Sequence, residues 1–288
     1  MRIRDELEIS RCLQGRAQAI AQRDRPIHRI GDAEFRVFSQ FGDDGILQFL
    51  ISRIGLRDQS FVEFGVENYR ESNTRFLLVN DNWRGLVIDG SKRNIRDIHH
   101  SSLYWRHDLT AIHAFITRDN INDLLAANGF SGQIGLLSID LDGVDYWVWE
   151  KLTVVQPQIV VAEYNALFGV ERAVTVPYNP KFVREKAHYS NLYWGCSLPA
   201  LNRIAESRGY QFVGCNSAGN NAYFVKRSAT ASLPCPSLVE GFVESKFRES
   251  RDENGALSFV SGAERLNLIL KQPLIDLETG DTILVSDL

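Results

Sequence analysis

The 288-residue sequence contains no Cys-x-x-Cys pair; Cys12, Cys196, Cys215 and Cys235 are scattered along it. That spacing signals neither a zinc knuckle nor a dense disulfide framework, and the four thiols are read as reduced. Proline, glycine and serine are not in excess, which argues against disorder. Long apolar runs are missing as well: each is about strand length and is soon broken by charge, so no membrane span is expected. The opening Met1-Arg2-Ile3-Arg4-Asp5-Glu6-Leu7-Glu8 mixes acids and bases where a signal peptide would carry a basic tip and an apolar run. A cytoplasmic location follows as the expectation. A net charge of -4 offers no general electrostatic grip on nucleic acid. Small molecules or glycans are the expected partners.

What is present is an ordinary globular composition, 44% apolar and 24% charged, long enough for one large α/β domain with appendages. Helical periodicity runs from Asp5 to Gln22 and stops before Arg25-Pro26. A second helix is predicted from Asp43-Asp44-Gly45 through Ile54, with its acids at the positive end of the helix dipole. From Phe61 onward short apolar runs alternate with helical stretches, the pattern of βαβ units and a parallel sheet. Strands are predicted at Ser60 to Phe64, Arg84 to Asp89, Tyr104 to His107, Ile134 to Ile139 and Gln158 to Glu163. A helix over Leu198 to Ser207 and a hairpin of Gln211 to Cys215 with Ala222 to Lys226 follow. The expected fold is α/β and Rossmann-like, a mostly parallel seven-stranded sheet with an antiparallel last strand. The expected organisation is a helical segment over 1–58, a central domain over 59–228 with an insert at 166–197, and an appendage over 229–288. The appendage is expected to cover the active site or to make a homodimer contact.

The segment Val62-Glu63-Phe64-Gly65-Val66-Glu67 ends a strand on a glycine, where the backbone turns tightly and a ligand can approach. The following Asn68 to Thr74 lacks the further glycines of Gly-x-Gly-x-x-Gly, through which a dinucleotide's pyrophosphate comes close to backbone amides. S-adenosylmethionine has no phosphate, so a single glycine suffices for it. Glu63 or Glu67 is then an acceptor for its ammonium, and Ser72, Asn73 and Thr74 are polar partners for its carboxylate. Asp89, 24 residues beyond Gly65, ends the second predicted strand, where an acid can accept both ribose hydroxyls. Asp108 is placed at the exit of the third and assigned to the adenine amino group.

The fourth predicted strand runs into Asp140-Leu141-Asp142-Gly143-Val144-Asp145, and the fifth delivers Glu163-Tyr164-Asn165 beside it. Crowded carboxylates repel one another unless cations, hydrogen bonds or raised pKa values compensate, which marks a candidate site. Asp140, Asp142, Glu163 and Asn165 form an oxygen-rich set suited to Mg²⁺. Such an ion could lower the pKa of a substrate hydroxyl. Asp142-Gly143 also reads as a plain turn, and an EF-hand ligand loop is absent. His188, the only histidine in the insert, joins Asp142, Asp145 and Glu163 as a candidate general base.

Four stretches together resemble the FkbM-type methyltransferases, which act on sugar and polyketide hydroxyls with S-adenosylmethionine. They are Phe38-Ser39-Gln40-Phe41-Gly42-Asp43-Asp44-Gly45, Phe61 to Val66, Trp83 to Asp89, and Leu137 to Gly143. The resemblance covers roughly Phe38 to Arg227. It implies a class I methyltransferase fold with Gly65, Asp89 and Asp140 lining the cofactor pocket and Gln40 close by. The sequence departs from the pattern at Asp142, where the family more often has glutamate, and in its long tail. A looser similarity to metal-dependent O-methyltransferases implies an acid after the fourth strand and an acid–amide pair after the fifth, here Asp140, Glu163 and Asn165. Methyl transfer to a hydroxyl of a sugar, polysaccharide or related metabolite is therefore the leading expectation. Its rivals are a dinucleotide-dependent nucleotide-sugar oxidoreductase and a non-catalytic scaffold of the same fold.

Overall fold

The computed structural model describes residues 2–288. Helix α1 (Arg2–Ala21) leads through a 3-10 turn to α2 (Asp43–Ile54), whose Ile46, Leu47, Phe49 and Leu50 are buried. A left-handed Gly55 ends α2 and turns the chain toward the first strand, β1 (Ser60–Phe64). Then come α3 (Arg75–Asp81), β2 (Arg84–Asp89), α4 (Lys92–His99), α5 (Ser102–Arg106), β3 (Leu109–His113) and α6 (Ile121–Ala127). The second half continues with β4 (Gly132–Ile139), α7 (Asp145–Lys151), β5 (Val155–Glu163), β6 (Val174–Thr175), α8 (Arg184–Ala187) and α9 (Leu198–Ser207). The antiparallel pair β7 (Tyr210–Cys215) and β8 (Asn221–Lys226) completes the main sheet, and β9 (Pro273–Asp276) and β10 (Thr282–Leu284) lie near the end of the chain.

Seven strands form one sheet in the order β3-β2-β1-β4-β5-β8-β7. The first five are mutually parallel, and β8 enters antiparallel to β5. A parallel sheet covered by helices on both faces needs apolar residues on both sides of each strand. In β1, Val62 and Phe64 pack in one cluster with Leu86, Ile88 and Leu137, while Phe61 packs in another with Val87, Leu136 and Ile159. This topology is Rossmann-like, with an antiparallel last strand that a plain dinucleotide fold lacks.

The predicted strand at Tyr104 to His107 is overturned. Those residues belong to α5 and its C-cap, Trp105 is 74% exposed, and the true third strand begins at Leu109. Asp108 therefore sits at the amino-terminal edge of the sheet, where its carbonyl accepts from the Gly85 amide at the start of β2. Asp89 is paired with His113 at the far end of the same two strands.

The insert and the tail fold together. β6, only two residues long, pairs antiparallel with β9, which pairs with β10, giving a second, three-stranded sheet. Phe168, Val174, Val176, Leu192 and Tyr193 of the insert share a small core with Ile269, Leu274 and Val285 of the tail. Among the described residues, no helix is long and apolar enough to cross a membrane.

Candidate active site

A cleft of about 590 Å³ opens at the carboxyl ends of β1, β4 and β5. In an open α/β sheet this is the topological switch point, where strand order reverses and ligands bind. Gly65 adopts φ +69°, and a Cβ built there would lie 1.8 Å from the Asp140 carbonyl oxygen. The two strand exits thus meet backbone to backbone, which only glycine permits. The loop beyond is bent further by Glu67 and Tyr69, both at positive φ.

Glu63 organises this loop from beneath. Its carboxylate accepts from the Ser72 hydroxyl (2.5 Å), the Thr74 hydroxyl (2.5 Å), the Asn73 amide (2.9 Å) and the Thr74 amide (3.2 Å). Burial raises its pKa while these donors pull it back. Asn73 reaches across to the Ser138 hydroxyl on β4. Gln40, Glu63, Gly65, Ser72 and Asn73 line the cleft; Thr74 lies fully buried behind them. Asp89 is buried and held by the Glu67 amide (2.7 Å), the Ser91 amide (2.7 Å) and the Asn94 side chain (3.1 Å), so it braces the same loop from β2.

The acids of the segment after β4 separate into two roles. Asp145 is fully buried and accepts from the Leu141 amide (2.7 Å) and the Gly143 amide (2.9 Å), so it shapes the turn; burial pushes its pKa up to about 6. Asp140, Asp142 and Glu163 instead converge on the cleft, each offering a carboxylate oxygen within 4.8 Å of the others. Burial, then Asp142, raise the Asp140 pKa well above the ordinary carboxyl range; burial, then Asp140, do the same for Glu163. Oε2 of Glu163 is buried with no hydrogen-bond partner.

Arg184, from the short helix α8 of the insert, answers this charge. It pairs with Asp142 at 2.7 Å, donates to the Asn191 carbonyl at 2.8 Å, lies over the Trp194 ring, and comes within 3.8 Å of Glu249 in the tail. Sequence reasoning missed it, because nothing in Arg184-Glu185-Lys186-Ala187 marks an arginine whose partners lie 42 and 65 residues away. Glu249 was missed for the same reason, as were Phe247 and Arg265 of the tail, which also line the cleft. Arg265 donates to the Ser245 and Phe247 carbonyls, and Phe247 packs against Phe41 in a tilted arrangement with ring centroids 4.9 Å apart. Phe247, Glu249 and Arg265 thus make the tail part of the cleft wall.

Two predicted residues are turned to other work. Asn165 lines the cleft, but its amide nitrogen donates to the Leu192 and Trp194 carbonyls and its oxygen accepts from the Leu167 amide, so it pins the insert. His188 lies outside the lining residues, with Nδ1 against the Ser190 hydroxyl at 2.8 Å, and burial lowers its pKa. Asp108 is at the opposite end of the sheet, 72% exposed and 4.0 Å from Arg84. The strand exit assigned to it is occupied by His113, beyond which Phe115 reaches the cleft.

No protein-family model matches the chain, and no curated protein matches it. Among solved structures it is similar to the N-terminal domain of EvdMO1 with SAH bound, at 9% identity over 77% of this chain and 94% of that one, TM-score 0.41. It is similar to an O-methyltransferase from Bacillus cereus in complex with SAH, at 11% identity over 75% and 89%, TM-score 0.40. A putative caffeoyl-CoA O-methyltransferase from Staphylococcus aureus shares 15% identity over 64% and 82%, TM-score 0.37.

Proposed function

We propose that this chain is an S-adenosylmethionine-dependent O-methyltransferase, FkbM-like in its motifs, acting on a hydroxyl of a sugar, polysaccharide or related metabolite. The observation that carries this reading is the cleft at the switch point, where Gly65 lies against the Asp140 carbonyl and three carboxylates converge with Arg184. A nucleoside needs the close backbone approach at Gly65 and no pyrophosphate cradle. Gln40, Ser72 and Asn73 supply neutral polar groups on the same wall.

In the transfer, the acceptor oxygen forms a bond to the methyl carbon as the carbon–sulfur bond breaks, and the electron pair stays on sulfur. The hydroxyl proton leaves to a cleft carboxylate. Asp140 and Glu163 suit that task, because burial and their mutual repulsion raise their proton affinity above that of an ordinary carboxylate. Arg184, paired with Asp142, offsets the repulsion among the three carboxylates. Most of the acceleration comes from positioning the two reactants.

Asp140, Asp142 and Glu163 also fit a magnesium ion, which takes hard oxygen ligands, and the unpartnered Glu163 Oε2 is the feature that favours one. Such an ion supplies Lewis acidity toward a hydroxyl when bound. Asn165 is committed elsewhere. Assay in excess chelator tests this role: activity that survives unchanged removes the metal from the reading.

Calorimetry of the purified protein with S-adenosylhomocysteine and with NAD separates the main reading from its rivals. Binding of the first alone is expected. NAD binding would favour the oxidoreductase, and binding of neither, with and without magnesium, would favour the scaffold.

A further inference from the structure

Charge in this molecule is concentrated at the cleft. Eight acids and two arginines line it, a formal -6, with no lysine or histidine among the lining residues. The whole chain carries -4, so everything outside the cleft nets +2. Five of the acids, Glu67, Glu71, Asp142, Glu185 and Glu249, are exposed. Arg36 answers Glu71 and Arg184 reaches Glu249, whereas Glu67 and Glu185 have no salt bridge among the described residues.

Two further features point the same way. At the floor, Glu163 is only 8% exposed, and its buried Oε2 has no partner. Along the walls, Phe115, Phe182 and Phe247 present aromatic groups, whose ring faces attract cations, while the Trp194 ring is already covered by Arg184. A cleft lined by one sign of charge with low-dielectric walls focuses its field and concentrates ligands of the opposite sign. A divalent ion at the floor would leave the lining at -4, so the sign does not depend on the metal.

We infer that the methyl acceptor carries a protonated amino group, as an aminosugar does, and that acceptors bearing phosphate or carboxylate are excluded. This rests on the methyl-transfer reading of the same cleft. The ammonium serves recognition and stays protonated; the methyl group still goes to a hydroxyl oxygen.

Three probes of one scaffold test the idea: glucosamine, glucose and glucuronate, titrated by calorimetry into the protein with and without S-adenosylhomocysteine. Glucosamine should bind about tenfold more tightly than glucose, as one charge-assisted contact would give, and glucuronate should not bind. The preference should shrink in a Glu185→Gln, Glu249→Gln double variant and at about 0.5 M salt. Glucosamine binding that is undetectable or no tighter than glucose overturns the inference, as does binding of glucuronate. Magnesium titrated alone provides the remaining arm: a site that takes the metal and shows no amine preference also overturns it. If the homologue binds and the amine preference is missing, the methyltransferase reading stands without this inference. If the preference is present and the homologue does not bind, it is the methyltransferase reading that fails.

Discussion

Glutamine at position 163 would isolate the electrostatics of the cleft floor. In the native chain Glu163 is buried with Oε2 unpartnered, and burial, followed by Asp140, raises its pKa well above the usual carboxyl range. The folded state therefore binds more protons than the unfolded state between the ordinary glutamate pKa, about 4.3, and the raised native value. The contribution of this group is fully present below the unfolded pKa and is lost as pH rises through the folded one. Glutamine has nearly the same shape, cannot ionise, and can donate its amide to Asp140. Glu163→Gln should then be more stable at neutral pH by about 1 to 3 kcal/mol, the cost of a buried unsatisfied polar group. For a chain of this length that is roughly 2 to 6 °C in melting temperature. Thermal melts of both proteins from about pH 5 to about pH 8.5, in chelator, would show curves that meet at the acid end and diverge as pH rises. Parallel curves, or a variant less stable at alkaline pH, would refute the reasoning. Methylation by the same variant should fall, since one of the two carboxylates proposed to accept the proton is gone.

Gly65→Ala places a Cβ 1.8 Å from the Asp140 carbonyl at a positive φ, and should cost about 3 kcal/mol or more in denaturant unfolding; a native midpoint would contradict the close approach. Asp43 is fully buried and accepts from Asn216 (3.0 Å), Asn221 (2.9 Å) and the Tyr223 hydroxyl. Asp43→Ala should lose about 3 kcal/mol, and amide exchange should speed up in the β7–β8 hairpin before the rest of the sheet. Arg184→Ala removes a side chain that is 21% exposed, so its stability cost is only about 1 kcal/mol after solvent screening. Its product formation should fall steeply, with Arg184→Lys recovering part of it because charge survives and the forked geometry does not. Unchanged turnover in Arg184→Ala would remove this residue from the site.

How much of this was readable in advance follows from how each feature is encoded. Buried parallel strands are continuous apolar runs, so β1, β2 and the exits of β4 and β5 could be placed from Phe61 to Phe64, Leu86 to Ile88, Leu136 to Ile139 and Ile159 to Ala162. The third strand could not, because Tyr104-Trp105 carries more strand-like bulk than Leu109-Thr110-Ala111-Ile112, yet it lies on a surface helix with Trp105 exposed. That one exchange carried Asp108 to the wrong end of the sheet. Side-chain destinations were less accessible still: nothing local distinguishes Asp145, which caps amides of the turn, from Asp140 and Asp142, which face the cleft.

The second sheet shows why the rest of the site escapes local patterns. Val174–Thr175 takes its pairing from elsewhere in the chain, from Pro273–Asp276 about a hundred residues later and from Cys196 through a bridge to Thr175, and neither strand has the length to declare itself alone. Folding them together creates the face that carries Arg184 near Glu249 and sets Phe247 and Arg265 on the cleft wall. The clustered carboxylates thus come from strand ends, where topology dictates position, whereas the groups that neutralise and enclose them come from two segments that pair and share a core. Substitutions within the second sheet should accordingly alter acceptor affinity and the Arg184–Asp142 pair while leaving the β1 loop, held by Glu63 and Asp89, in place.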